Sequence, residues 1–489
     1  MKEVFGQVNQ TIQYPNDHPF LNGAWRPVDR ELTVTGPDLR IEGEIPRDLA
    51  GVYLRNSHNP VHEPMGRYHP YDGDGMLHAM RFQEGRAEYR NRFIRTTGFL
   101  AEQAAGCSLW PGLTEPRKAR RRGWGAIGAM KDNAGTDVIV HAGKAIAAMS
   151  QCSEPYRLDP ISLDTLGPCD SWSRTIAPRG ICSHFKLDEH TGDMMFFNFG
   201  EEPPYFNYGV VDRHNALVHY VPIELPGPRW PHDLGFTEHY SIIHDLPLFF
   251  DPGILKKGGH RLHFHRDIPS RFGIIPRLGA PHEIRWFEAS PCYILHLANC
   301  YEDGDEIVMD GCIQTNPLPD MSALPREGYS RMVAMLDMVG QGCRIHRWRF
   351  DMRTGHTREE FLDDQCTEFP MVSGWYGGRP YRYSYNTLLE PGFWALTGLK
   401  KYDHLAGRSQ TFELPPGCTL SETTFAPRLD SQEEDDGYLI TFITNLNTGK
   451  GECAIFDARD ITPGPIARVV VPQQIPNGAH AFWAPASTL

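Results

Sequence analysis

Apolar, β-branched and aromatic residues along this chain come in short runs, and a polar turn containing Gly cuts off one run from the next. Such a pair of runs around a Gly turn predicts a β-hairpin. Examples are Met80–Phe82, turn Glu84-Gly85, then Ala87–Ile94, and Phe185–Leu187, turn His190-Thr191-Gly192, then Met194–Phe199. Trp348–Phe350 runs into the turn Arg353-Thr354-Gly355. Near the end, Tyr438–Thr444 follows Asp436-Gly437, and Thr448–Gly451 leads on to Cys453–Asp457. Many short antiparallel strands without alternating long helical patterns predict an all-β protein. A sandwich is usually smaller than this chain, so a β-propeller is the economical architecture.

The repeat is loose. Asp188–Gly192 and Asp351–Gly355 share the pattern Asp-x-x-Thr-Gly, but spacing alone does not set a blade count. Length would suggest several ordinary domains, whereas a propeller absorbs the whole chain as one. Residues 1–30, with Pro15, Pro19 and Pro27, read as an extended N-terminal arm, and residues 31–489 as a single propeller domain. Ala101–Met130 breaks the β pattern and reads as helical, outside the sheets. Its run Arg117-Lys118-Ala119-Arg120-Arg121-Arg122 reads as a solvated basic loop, with a lid or a contact to an anionic membrane surface as the functional alternative.

Composition supports a folded, acidic protein. Of 489 residues, 40% are hydrophobic and 11% aromatic, enough for a large core. The net charge of −13 speaks against nucleic acid as a partner. No run of eighteen apolar residues appears, and Met1–Tyr14 lacks the basic start and apolar stretch of a signal peptide, so a cytoplasmic location is expected. The 11 cysteines contain no C-x-x-C pair, which fits reduced thiols better than a disulfide frame, a zinc ribbon or an iron–sulfur site.

Candidate chemistry lies in four histidines, each in a block that mixes strand formers with turn formers: Cys182-Ser-His184-Phe-Lys186, Trp230-Pro-His232-Asp233, Tyr293-Ile-Leu-His296-Leu-Ala-Asn299 and Asn477-Gly-Ala-His480-Ala-Phe-Trp483. Neutral imidazoles bind transition metals readily, and ligands so far apart converge only if the fold closes on itself. The chain holds 22 histidines, and His190, His214, His260 and His356, set among turn residues and charges, read as background. His296 sits in a largely apolar strand, where an interior imidazole is either neutral and hydrogen-bonded or bound to metal. The residues alone leave both readings open.

In order along the chain, the motifs resemble the carotenoid cleavage oxygenase family, which includes the lignostilbene dioxygenases. The resemblance runs through Gly51–Pro60, Tyr71–His78, Ser183–Asp188 with Thr191-Gly192, Pro231–Tyr240, Arg271–Arg277 and His296–Glu302. It continues through Glu368-Phe-Pro370 with Gly378–Tyr383, Phe425–Arg428 with Glu434–Gly437, and Asp457–Asp460, up to His480. It implies a seven-bladed β-propeller with a dome of loops and helices over an axial ferrous iron held by His184, His232, His296 and His480. His239 and His244 lie near His232, but the Pro-His-Asp block selects His232. Carboxylates orienting the imidazoles are implied at Glu368 and Glu422.

At one place the chain departs from the family. A third glutamate is expected after the strand Asp137–His141, yet the matching position is Ser150, or Gln151 with a register slip of one, and Glu154 is out of register. Lignostilbene-type members carry a phenol-binding lysine just before it, where this chain has Met149. The implied activity is cleavage of a C=C bond by O2 to two aldehyde or ketone products. The missing lysine leans toward an apolar polyene, a carotenoid or apocarotenoid, as substrate. Such substrates partition into membranes, so peripheral membrane contact is also implied. The alternatives within the family are stilbenoid cleavage and the isomerisation with ester cleavage of the retinoid branch. Outside it stands a non-catalytic propeller acting as a binding module, and four closed zinc ligands would likewise leave the centre inert.

Overall fold

The computed structural model describes residues 2–5, 8–13, 18–115, 119, 121–125, 130–169, 172–176, 179–255, 257, 261–392 and 394–489, and every predicted hairpin is present. Asp74–Gln83 pairs with Arg86–Phe93 around the turn Glu84-Gly85, whose φ angles are 51° and 73°. Two positive φ values match the right-handed twist of the flanking strands, and glycine adopts the second without strain. Lys186–Leu187 pairs with Met194–Phe199, Arg344–Asp351 with Thr357–Met371, and Gly437–Asn445 with Lys450–Asp457.

The strands form a six-stranded sheet, three four-stranded sheets, a seven-stranded path and a second six-stranded sheet, with a small two-stranded ribbon besides. The seven-stranded path bends within Thr357–Met371. Residues up to Cys366 pair with Arg344–Asp351, and those from Thr367 onward pair with Tyr383–Glu390. One long strand is thus shared by two sheets, which makes seven sheets of at least four strands among the described residues, the number implied for the propeller.

The chain forms two compact units, residues 1–183 with 410–489 and residues 184–409. In the first, the C-terminal strand Ala481–Pro485 pairs with Gly51–Asn59, and the N-terminal strand Arg40–Gly43 pairs with Ala467–Val471. Each end of the chain therefore completes a sheet begun by the other. Tyr53, Met80 and Tyr89 pack here with Tyr438, Ile440, Ile455 and Val469. In the second unit, Ile242, Phe272 and Ile274 pack with Ile294, Leu297, Met309 and Trp348. Each such side chain contributes about 1.5–3 kcal/mol by leaving water.

Residues 1–30 begin with a strand, Lys2–Phe5, paired with Glu31–Thr35. One expectation needs revision. Ala101–Met130 is not a helix throughout: the helix is Thr97–Ala105, capped by the Thr96 side chain on the Phe99 N–H and ended by Gly106 at φ 69°. Pro111 and Gly112 then oppose further helix. Of the basic run, residues 117, 118 and 120 lie outside the described residues. No helix among those described is long and apolar enough to cross a membrane.

Candidate metal centre

His184, His232 and His296 converge in the second unit. One ring nitrogen from each lies within 4.8 Å of the others, and ring centroids are 4.3 Å apart for His184 and His232, 5.4 Å for His184 and His296, and 5.2 Å for His232 and His296. His184 and His296 are buried and His232 half-buried. Metal–imidazole bonds are about 2.1 Å long, so small ring adjustments let all three share one ion.

A charged pair ties the three segments together. Lys186, two residues beyond His184 at the start of the strand Lys186–Leu187, bridges to the buried Asp233 at 2.8 Å. Asp233, next to His232, also accepts the backbone N–H of Leu297, the residue after His296, at 2.9 Å. Burial pushes the Asp233 carboxyl upward, but Lys186 and the Leu297 N–H outweigh it and hold the pKa below the usual carboxylate range. Both residues lie inside the histidine blocks, but nothing in the local pattern signals that they pair. Asp233→Asn keeps the shape and loses the charge, leaving Lys186 without its counter-ion. It is expected to lower stability by about 2–3 kcal/mol in chemical denaturation and to weaken metal binding in parallel.

His296 lies where the pairing of Tyr293–Asp303 with Glu306–Gln314 slips twice, between Ile294 and Leu297 and between Leu297 and Asn299. Glu368 lies at another slip, between Glu368 and Met371, beside Phe369 at φ 49°. Such bulges re-aim side chains that a regular ladder would point elsewhere. Here they bring Glu368 Oε2 to 2.6 Å from His296 Nδ1. The carboxylate is fully buried, and Oε2 also accepts the N–H of Phe369, whose ring lies 4.8 Å from that of His296. Nδ1 is therefore the protonated nitrogen and Nε2 the donor for a metal.

In the first unit, His480 is buried with Nδ1 3.2 Å from both oxygens of Glu422. Its backbone N–H donates to the Thr136 carbonyl, its own carbonyl accepts from the Asn56 N–H, and the Ala481 N–H donates to Glu422. Glu368 and Glu422, the two glutamates named from the resemblance, thus each meet an imidazole. Ser150, where counting along the chain puts the third expected glutamate, or Gln151 with a slip of one, has its N–H on Thr136 Oγ1 and its carbonyl accepting from Cys182 Sγ. Met149 before it is buried.

The other histidines have different surroundings. His239 is exposed and 3.0 Å from Glu302. His244 is buried edge-on to Phe272, and burial drives its pKa down to about 4. His190 packs on Trp375 and donates to its carbonyl at 2.7 Å. His214 and His356 lie in exposed turns, and His260 is outside the described residues. None of the 11 cysteines is in a disulfide.

The donor set fits a divalent transition metal. Neutral imidazoles suit iron, zinc, copper and nickel, and a cation held by His296 would supply the counter-charge to the buried Glu368 carboxylate behind the ring. The protein is thus an all-β protein with a cluster of three histidines suited to hold a metal ion.

The profile of the family described as retinal pigment epithelial membrane protein matches residues 25–485. The carotenoid 9,10(9',10')-cleavage dioxygenase of Crocus sativus is 33% identical over 497 residues, covering 95% of this chain and 88% of that protein. The lignostilbene-alpha,beta-dioxygenase isozyme III of Sphingomonas paucimobilis is 30% identical over 505 residues, covering 96% and 97%. Among solved structures, the lignostilbene dioxygenase of Pseudomonas brassicacearum superposes with a TM-score of 0.83 at 25% identity, covering 97% of this chain and all of that one. The chain belongs to this family, that of the carotenoid cleavage oxygenases. It has the family's β-propeller fold and is an oxidoreductase of the dioxygenase type, in a family of oxidative double-bond cleavage.

Proposed function

We propose that this chain is a non-haem iron(II) dioxygenase that cleaves a C=C bond of a carotenoid or apocarotenoid with O2, giving two aldehyde or ketone products. The observation that carries the reading is the group of three imidazoles, with the buried Glu368 carboxylate behind His296. Ferrous iron, when bound, supplies a redox-active cation for O2 chemistry beside the alkene. His184, His232 and His296 are its proposed ligands, with His480 as the fourth.

The chain's own groups hold and orient. Glu368 and Glu422 accept the Nδ1 protons of His296 and His480 and keep Nε2 as the donor nitrogen. The Lys186–Asp233 pair holds the three ligand segments in register. Four uncharged donors leave the cation its full charge. No side chain is assigned as general acid or base.

For the substrate, the buried, apolar Met149 favours a polyene over a phenol-bearing stilbene, and the similarity to the Crocus sativus enzyme points the same way. Cleavage of a stilbenoid is the second reading, favoured by the lignostilbene dioxygenase relatives. We place the enzyme in the cytoplasm with a peripheral membrane contact, where apolar polyenes accumulate. Iron-loaded protein incubated with carotenoids, apocarotenoids and stilbenes is expected to release carbonyl fragments from the polyenes, identified by mass. Fragments from stilbenes alone would replace the first reading by the second, and no fragments from any substrate would leave a binding propeller.

A further inference from the structure

Behind the Glu368 carboxylate lies a thiol that the proposed chemistry does not use. Cys343 is fully buried, and its Sγ lies 3.7 Å from Glu368 Oε1, the oxygen opposite the one that meets His296. Its position is fixed from several sides. It immediately precedes the strand Arg344–Asp351, its N–H donates to the Met338 carbonyl, and Cys312 of the neighbouring strand is in hydrogen-bond contact with its thiol. Cys312 in turn receives the Asn386 amide at 3.8 Å, and the same amide also meets Thr367 Oγ1 at 3.2 Å, one residue before Glu368.

We propose that Cys343 is a positioning residue of the metal centre, its thiol donating a hydrogen bond to Glu368 Oε1 and so fixing the carboxylate that orients His296. This rests on the reading of His296 as a ligand. An ionised carboxylate only accepts, so in the 3.7 Å hydrogen bond the thiol is the donor. The thiol is suited to that role, because burial, the Cys312 contact and the neighbouring Glu368 charge all push its pKa well above the ordinary value and keep the proton on sulfur. The carboxylate then accepts at both oxygens, from the thiol at Oε1 and from the imidazole Nδ1–H at Oε2, which leaves imidazole Nε2 for the metal. A rotated carboxylate would turn the ring away from its partners His184 and His232.

Cobalt(II) binding to the metal-free protein, followed by visible absorption, reads the effect apart from turnover. Cys343→Ala is expected to raise the cobalt Kd about 3- to 10-fold, a weaker effect than loss of a partner that touches the ligand itself, and to lower the melting temperature of the metal-free protein, because Glu368 Oε1 loses its donor. Cys343→Ser, whose hydroxyl still donates, is expected to bind within about twofold of wild type. An alanine variant that binds like wild type would overturn the inference, as would alanine and serine variants that lose affinity alike. Wild-type protein that binds no cobalt would instead overturn the metal reading beneath it. If the alanine variant does not fold, the infrared S–H stretch serves, isolated as the difference between wild type and Cys343→Ser. It should shift to higher frequency in Glu368→Gln, and an unmoved band counts against the hydrogen bond.

Discussion

Replacing His296 by alanine is expected to abolish both metal retention and turnover. His296 is the ligand candidate with the most complete support: its ring stands within 5.4 Å of both His184 and His232, its Nδ1 is held by a buried carboxylate, and Phe369 packs on its face. Without the ring, two imidazoles remain in the group of three. The Glu368 carboxylate also stays buried after losing the imidazole N–H, with only the Phe369 N–H left on Oε2, and such a loss at a buried acceptor costs about 1–3 kcal/mol. The variant is therefore expected to melt lower even without metal. Metal content after purification, by atomic emission, and carbonyl release from a polyene check the two losses, with circular dichroism as the control for folding. Undiminished activity in a folded His296→Ala protein would remove the ligand assignment and the function proposed on it.

Glu368→Gln should separate metal affinity from folding. Glutamine fills the same space and can still accept the Nδ1–H of His296, but it carries no charge, so the imidazole becomes a weaker donor to the metal. Substitutions at such carboxylates typically cost about 10- to 100-fold in metal affinity, and that range is expected here. Stability should respond differently. In the metal-free protein the wild-type carboxylate is a fully buried charge. Neutralising it removes a desolvation penalty, so the melting temperature of the metal-free variant is expected to hold or rise while the gain on adding metal shrinks. Cobalt titrations and melting curves of both forms, with and without metal, measure this. A steep fall in metal-free stability with unchanged affinity would make Glu368 a structural acid.

Several parts of the site were legible from local pattern and motif order. The hairpin at Glu84-Gly85 is written in two residues that tolerate positive φ. The six residues His184, His232, His296, His480, Glu368 and Glu422 were named because short motifs in a fixed order carried them, and both imidazole–glutamate couples, His296 with Glu368 and His480 with Glu422, are found in contact. The Ala101–Met130 stretch was misread because its composition favours helix while Gly106, Pro111 and Gly112 end it after nine residues. A cap is a matter of single positions, and composition averages over them.

The remaining features had no such signal. The slips at His296 and Glu368 each displace the ladder by a residue or two, and no residue type announces a bulge that a side chain elsewhere requires. Lys186, Asp233 and Cys343 stood in plain view, but their partners lie 47, 64 and 25 residues away. Alone, the sequence determined the strand-and-turn grammar, the acidic surface and which imidazoles and carboxylates were candidates, because those depend on neighbours along the chain. Only the tertiary structure decided which rings meet, which oxygen holds which nitrogen and which thiol stands behind it. Hydrogen bonds and metal bonds act over a few ångströms of space, and folding alone brings residues distant in sequence to that range.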